Sequence, residues 1–186
     1  PLTNPHICGQ CDSMNRSCCT LRAEKNDGLP APVSKYEIEK ILDSLKGKKK
    51  EDLFDEKINS RQFINQMSLL FPNMINSVHK VFQANKTHFE LKTIDDNCMF
   101  KGSSGCILPV SARPLFCRIY PFWLFNGEPH VFQDSNCLAI ESHQTTAEIF
   151  LSLGTNAEKL KQIHDSLCQD WGLYRSIPGE KKKKLI

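Results

Sequence analysis

Hydrophobic residues recur at helical spacing in the first half of the chain. Ser34 and Glu37 have capping-box spacing, which predicts a helix that begins at Ser34 and ends near Gly47. Its apolar face is formed by residues three and four positions apart, namely Tyr36, Ile38, Ile41, Leu42 and Leu45.

Residues 51–85 continue this helical pattern and are divided by Pro72. Before the proline, apolar residues are spaced for one helix face: Phe63, Ile64, Met67, Leu70 and Phe71. After it, the same spacing is repeated by Met74, Ile75, Val78, Val81 and Phe82. We therefore predict two short helices here and interpret residues 34–85 as a helical insertion.

From residue 86 onward, short β-like segments replace the helical pattern. Residues 87–93 alternate in places, and Asn126-Gly127 lies between two apolar arms that span residues 123–132. Asn-Gly favours a hairpin because both residues tolerate positive φ. We therefore predict a small sheet or hairpin between Cys117 and Cys137.

The C-terminal part, residues 140–175, is predicted to return to helix. One helix covers residues 145–153, and a second covers residues 155–174 because Thr155 and Glu158 have capping-box spacing. The predicted core contains Phe122, Trp123, Phe125, Phe132, Leu151 and Trp171. Together the elements predict one α+β domain over residues 1–186, in which several α-helices pack with small strands and loops that hold a cysteine-rich metal site.

Composition and charge exclude several functional classes. The 186 residues are 40% apolar and 24% charged, and apolar stretches such as residues 122–125 are too short to span a bilayer. The net charge of +3 owes much to two lysine runs, at residues 46–50 and 181–184. Such runs are typical of solvated loops or tails, and no interleaved aromatic platform accompanies them. We expect neither membrane nor nucleic-acid binding.

Nine cysteines are the strongest chemical signal in the chain. A disulfide scaffold is disfavoured, because the odd count leaves one thiol unpaired and a chain of this length can build a core without cross-links. The opening residues show no charged start followed by an apolar stretch, so we expect no signal peptide and a reducing, cytoplasmic environment. In that environment, many thiols together indicate a metal site.

The first cysteines have ligand-like spacing. Cys8 and Cys11 are separated by two residues, so a tight turn could bring both sulfurs to one metal. Turn-forming residues dominate positions 8–19, which predicts a loop wrapped around a ligand. Cys18 and Cys19 are adjacent, so one of them could face a second site, or a polynuclear cluster could accept both.

The later cysteines, at positions 98, 106, 117 and 137, are bracketed by turn residues. Arg113 and Arg118 flank Cys117, where their charge would favour a thiolate and their N–H groups could donate to a ligand sulfur or an anion. The alternative for each arginine is an ordinary ion pair with a surface carboxylate. His6 and His130 are the nearest alternative metal ligands, whereas Cys168 is predicted to be a buried small hydrophobic residue.

The cysteine pattern, with Arg113-Pro114-x2-Cys117-Arg118-x-Tyr120-Pro121-Phe122, resembles the CxxCxxCC family of zinc- or iron-chelating proteins, the YkgJ-like group, which also includes flagellin lysine N-methylases. The resemblance covers residues 8–19 and 98–137. The gap between Cys11 and Cys18 is longer than in the family pattern, and methyl transfer does not follow from cysteines alone. The resemblance implies eight metal ligands: Cys8, Cys11, Cys18, Cys19, Cys98, Cys106, Cys117 and Cys137.

Two kinds of metal group remain open from the sequence. Four thiolates can hold a structural zinc ion or a 4Fe–4S cluster, and adjacent cysteines favour the wider polynuclear group. The first hypothesis is a cluster or zinc protein with a redox or assembly role and a protein partner. The alternatives are a methyltransferase-like enzyme and an interaction module with purely structural zinc. No glycine-rich nucleotide loop is present.

Overall fold

The computed structural model describes residues 5–14, 18–19, 31–134 and 136–174, apart from the side chains of residues 5, 6 and 8. The described residues form an α+β structure, as predicted. None of their helices is long and apolar enough to cross a membrane. The α-helices are α1 (Pro5–Ser13), α2 (Lys35–Ser44), α3 (Lys50–Leu53), α4 (Arg61–Leu70), α5 (Ile75–Val81), α6 (Leu115–Ile119), α7 (Leu138–Glu141), α8 (Thr146–Ser152) and α9 (Ala157–Asp170).

The strands of the described residues pair two by two, and every pair is antiparallel. Two short 3₁₀ helices, Pro72–Met74 and Val110–Ala112, connect other elements. The four strand pairs are β1 (Phe54–Ile58) with β2 (Thr87–Leu91), β3 (Thr93–Ile94) with β4 (Asn97–Cys98), β5 (Lys101–Gly102) with β6 (Gly105–Cys106), and β7 (Phe122–Phe125) with β8 (Glu128–Val131).

Local capping signals confirm two predicted helix starts. Glu37 N–H donates to Ser34 Oγ, and Ser34 N–H donates to the Glu37 carboxylate, so α2 begins with the predicted capping box. Thr145 and Glu148 form the same reciprocal pair at the start of α8. For α9 the predicted cap is wrong: Asn156, rather than Thr155, accepts the Lys159 N–H and begins the helix.

The predicted ligand loop at positions 8–19 is also wrong in its first part, because residues 5–13 form α1. The helix packs against β6 and α7, and its buried Asp12 accepts the Gly105 N–H and lies 3.6 Å from Lys101 Nζ. These contacts with distant residues outweigh the turn preference of the local sequence.

Residues 34–85 are not wholly helical, in contrast to the predicted insertion. Helices α4 and α5 occupy the two periodic stretches, but residues 54–58 form β1 and pair with β2 from Phe54–Leu91 to Ile58–Thr87. The pairing satisfies the backbone groups of both strands and joins this region to the rest of the domain.

The hydrophobic core consists of two clusters. The larger contains Trp123 and Phe122, both 1% exposed as predicted, together with the inner faces of α4, α6 and α9. The smaller contains Val33, Ile41, Leu108 and neighbouring residues. Leu151 was predicted to be in the core but is 83% exposed, because α8 buries Ile149 instead. Phe125, Phe132 and Trp171 are partly buried against the larger cluster.

Candidate metal centre

Tight hairpins present Cys98 and Cys106. Cys98 ends β4 opposite Thr93, and Cys106 ends β6 opposite Lys101. Gly105, the first residue of β6, has a φ of +97°, a backbone conformation that favours glycine. Both cysteines are partly buried against the smaller apolar cluster.

Backbone N–H groups point at three of the cysteine sulfurs. The Phe100 N–H donates to Cys98, the Leu108 N–H to Cys106, and the N–H groups of residues 139 and 140 to Cys137. Burial is the largest influence on these thiols and raises the pKa of each, that of Cys98 to about 11. The backbone hydrogen bonds act in the opposite direction and lower the pKa. A metal that replaced the thiol protons would bind sulfur atoms that already accept backbone hydrogen bonds.

Cys19 is brought to the same place by a long-range backbone contact. The Cys98 N–H donates to the Cys19 carbonyl oxygen at 2.7 Å. A hydrogen bond from Cys18 lowers the pKa of the Cys19 thiol, and the charges of Arg113 and Lys101 act in the same direction. The negative charge of Cys19 in turn contributes to the raised pKa of Cys98 and Cys106, so the three thiols lie within electrostatic reach of one another.

Cys117, on α6, completes this group. Burial is the largest cause of its strongly raised pKa, followed by the charges of Cys19, Cys98 and Cys106. Its side chain nevertheless keeps an exposed surface. We call Cys19, Cys98, Cys106 and Cys117 the first thiol set.

Cys11, Cys18 and Cys137 form a second thiol set. The Cys11 Sγ lies 3.7 Å from the carbonyl oxygen of Asn136, the residue before Cys137. Burial raises the pKa of Cys137, and the charge of Cys11 adds to that rise. The Tyr120 hydroxyl donates a hydrogen bond to Asp134. Burial and this hydrogen bond are the main causes of the raised pKa of Tyr120, and the charges of Cys137 and Cys18 add to the rise.

The two arginines that flank Cys117 in sequence occupy different surroundings. Arg113 donates from Nε to the Leu108 carbonyl at 2.9 Å and from Nη2 to the Cys106 carbonyl at 3.0 Å, and its charge acts to lower the pKa of the Cys106 thiol. Arg118 is half-buried near Glu37, where desolvation lowers its pKa and the carboxylate opposes that shift. Its Nε has no hydrogen-bond partner among the described residues.

Replacing Arg113 with lysine is expected to lower the free energy of unfolding by about 1 to 2 kcal/mol, because one ammonium group cannot reproduce the two-pronged contact with neighbouring carbonyls. Urea denaturation of the metal-free protein measures the change. The exposed Arg61 supplies the control, because Arg61→Lys should change stability by less than about 0.5 kcal/mol. Equal stability of the two variants would show that Arg113 does not fix the Cys106 loop.

Asp12 and Lys101 join the two thiol sets but were not identified from the sequence. Asp12 follows Cys11 on α1, while Lys101 pairs with Cys106 across the β5–β6 hairpin. The buried Asp12 carboxylate approaches Lys101 Nζ at 3.6 Å and accepts the Gly105 N–H at 3.2 Å. Only Asp12 is adjacent to a cysteine in the sequence, so only the fold reveals that the two residues meet.

The remaining predicted ligands either lie away from both thiol sets or have side chains that the structure does not describe. The side chains of Cys8 and His6 lie outside the described residues, whereas His130 is exposed on β8 and packs against the ring of Phe125. Cys168 is fully buried, as predicted, and burial raises its pKa to about 12. Within the described part of the chain, no three histidine, cysteine or acidic side chains are arranged to hold one metal ion.

A separate cavity of about 150 Å³ opens near the β7–β8 turn. Its lining includes Phe71, Leu124, Asn126 and His164, and it contains no cysteine. Burial lowers the pKa of His164, whose Nδ1 lies 3.7 Å from Cys168 Sγ. Burial therefore disfavours the charged forms of both the imidazole and the neighbouring thiol.

Comparisons with protein-family models, curated proteins and solved structures find no match to this chain. The family resemblance therefore stays a prediction from the sequence, and the candidate centre rests on the cysteines and their surroundings.

Proposed function

We propose that this protein binds an iron–sulfur cluster through cysteine thiolates and uses it in a redox role. The single observation that supports the proposal is the electrostatic proximity of the four thiols in the first thiol set. Four separate segments of the chain bring Cys19, Cys98, Cys106 and Cys117 within electrostatic reach of one another. Thiolates are the ligands that iron–sulfur clusters use in proteins, and four of them suffice for a 4Fe–4S cluster.

The surroundings of the first thiol set suit a negatively charged group. The N–H groups of Phe100 and Leu108 donate to two of its sulfurs, and Arg113 places a positive charge beside them. Hydrogen bonds to sulfur and nearby cations stabilise added electrons on a cluster, which raises its reduction potential. A bound cluster would supply one-electron transfer, while these residues would hold it and adjust its potential.

Metal and sulfide analysis of the anaerobically purified full chain tests the proposal. We expect a brown preparation that contains iron and acid-labile sulfide in equal amounts, bleaches reversibly with dithionite and then gives a paramagnetic resonance signal. A colourless preparation containing only zinc would overturn the cluster and favour a structural ion. A preparation with neither metal after reconstitution with iron and sulfide would overturn metal binding altogether.

A cysteine variant outside both thiol sets supplies the matched control for this test. Cys168→Ala removes a thiol that is fully buried in the larger apolar cluster on α9. It should retain the metal content of the unmodified chain, whereas Cys98→Ala should lose metal from the first thiol set. Equal metal content in the two variants would contradict the assignment of Cys98 as a ligand.

A further inference from the structure

The paired strands β1 and β2 contact both apolar clusters. Phe54 of β1 belongs to the smaller cluster, and Phe89 of β2 packs against it. His88 precedes Phe89 and therefore faces the other side of the strand. Its ring stacks on Phe63 of the larger cluster, with the ring centroids 3.8 Å apart and an angle of 6° between the planes. His88 thus connects the strand pair to the larger cluster.

Asn59 fixes a hydrogen on one nitrogen of the His88 ring. The Asn59 Nδ2 group donates to the Gln83 carbonyl at 2.9 Å, and its Oδ1 atom faces His88 Nδ1 at 2.7 Å. An amide oxygen can only accept, so Nδ1 carries a hydrogen. Turning the Asn59 amide around would bring its oxygen against the Gln83 carbonyl oxygen, so the hydrogen-bond network selects the first orientation.

Glu90 requires a hydrogen on the other nitrogen of the same ring. His88 Nε2 lies 3.2 Å from Glu90 Oε1, and an ionised carboxylate only accepts, so Nε2 must donate. An imidazole with a hydrogen on both nitrogens is a cation, which the face of the Phe63 ring also favours. Since His88 is only 5% exposed, these three side chains stand in place of water around its charge.

Other charges around His88 lie toward solvent. Lys57 is directly opposite His88 across the strand pair, where its positive charge opposes a second cation, but its side chain is exposed and therefore screened by water and salt. The remaining charged or titratable residues of the surrounding elements are exposed or half-buried: Asp55 and Glu56 on β1, Arg61 on α4, His79 and Lys80 on α5, and Lys86 before β2.

We propose that His88 is a pH-sensitive joint between the two apolar clusters, closed while its ring carries both hydrogens and opened by loss of the Nε2 proton to water. Asn59 retains the Nδ1 hydrogen, so the neutral ring would direct a lone pair at the Glu90 carboxylate, and the two would repel. The joint needs no metal and goes beyond the proposed cluster. Because β2 leads into the hairpin that carries Cys98, opening would also loosen the segment before that cysteine.

Nitrogen NMR of the full chain labelled with ¹⁵N-histidine reads the two ring nitrogens separately, and the spectrum of His88→Gln assigns the His88 signals. At about pH 6 both His88 nitrogens should be protonated, and as the pH rises Nε2 alone should lose its proton. An unprotonated ring nitrogen at about pH 6, or a neutral ring with its hydrogen on Nε2, would overturn the proposal. Retention of both hydrogens up to the pH of unfolding would do the same.

A double-mutant cycle of His88→Gln and Glu90→Gln, measured by urea denaturation, isolates the contact from other titrating groups. Their coupling should be about tenfold in the unfolding equilibrium constant while the ring is charged, and less than about twofold once the ring is neutral. Glu39→Gln, at an exposed position of α2, is the matched control and should show no coupling to His88 at either pH. Equal coupling of His88 and Glu90 at both pH values would contradict a proton-dependent joint.

Amide hydrogen exchange of the unmodified chain tests the opening itself and does not depend on variants that fail to fold. After correction for the intrinsic effect of pH on exchange, the protection of β2 amides should fall about tenfold when the His88 ring becomes neutral, because the strand opens locally. The amides of α9, within the larger cluster, should keep their protection. Unchanged protection of β2, or an equal loss in β2 and α9, would overturn a joint that opens at His88.

Discussion

Replacing Trp123 with alanine is expected to lower the free energy of unfolding by about 4 kcal/mol, the range found when a large buried aromatic side chain is removed. Trp123 is 1% exposed and its indole N–H donates to the Leu70 carbonyl at 2.7 Å. Its ring centroid lies 5.3 Å from those of Phe71 and Phe116. The substitution removes contacts with Phe71, which directly follows α4, and with Phe116 of α6, and leaves a cavity between them.

Two controls separate packing from the hydrogen bond. Trp123→Phe keeps most of the aromatic surface and should lose about 1 to 2 kcal/mol, since the Leu70 carbonyl is left without this donor. Leu151→Ala, on a residue that is 83% exposed, should change stability by less than about 0.5 kcal/mol. Urea denaturation followed by circular dichroism measures all three. A Trp123→Ala loss below about 1 kcal/mol would show that the larger cluster does not depend on this ring.

The parts of the fold that the sequence predicted are those specified by short-range chemistry. Ser34 and Glu37 form the start of α2 within one helical turn, and Asn126 and Gly127 adopt the positive φ angles of 53° and 78° that a tight β7–β8 turn requires. The helical pattern around Met67 likewise corresponds to α4, whose apolar side is buried. Each signal lies entirely within its own element.

The incorrect predictions concern elements that depend on distant partners. Helix α1 is stabilised by contacts of Asp12 with Lys101 and Gly105, far along the chain, so its turn-forming composition was misleading. Strand β1 has no strong alternation of its own and is defined by pairing with β2. Leu151 has helical spacing, but the direction of α8 relative to the core cannot be read from spacing alone.

Cysteine spacing predicted which residues could bind metal but not which of them the fold brings near one another. Cys8 and Cys11 suggested one compact site, and nothing in the local sequence indicated that Cys19 would accept a hydrogen bond from Cys98. The sequence around Cys117 predicted the same role for Arg113 and Arg118, as charges beside a thiolate. Among the described contacts, only Arg113 donates to the carbonyl of a first-set cysteine. Such distinctions follow from tertiary packing, which a linear spacing does not encode.

Glu37 connects α2 to the helix that carries Cys117. Its carboxylate accepts the Ser34 N–H at 2.7 Å and the Leu115 N–H at 2.6 Å, and Leu115 begins α6. The side chain is buried, and burial raises its pKa against the effect of those two donors. The same residue that caps α2 therefore fixes the start of α6 and, through it, the position of the Cys117 thiol.

Replacing Glu37 with alanine should lower the free energy of unfolding by about 3 kcal/mol, because two buried N–H groups lose their acceptor. We also expect faster metal release to a chelator, since α6 loses its connection to α2. Glu37→Gln keeps the shape but offers only one oxygen, so it should lose about 1 to 3 kcal/mol. If both variants match the unmodified chain in urea denaturation and chelator kinetics, Glu37 does not position α6.

The pH dependence of stability gives Glu37 a second, independent test. Because its pKa is raised in the folded state, the folded chain holds the Glu37 proton more tightly than the unfolded chain does. The stability that this proton contributes is complete below the ordinary carboxyl pKa and is lost as pH rises through the raised value. Unfolding free energies measured across that interval should therefore fall with pH in the unmodified protein and fall less steeply in Glu37→Gln, which has no proton to release. An equal slope in the two proteins would mean that another group, rather than this buried carboxyl between α2 and α6, governs stability in that range.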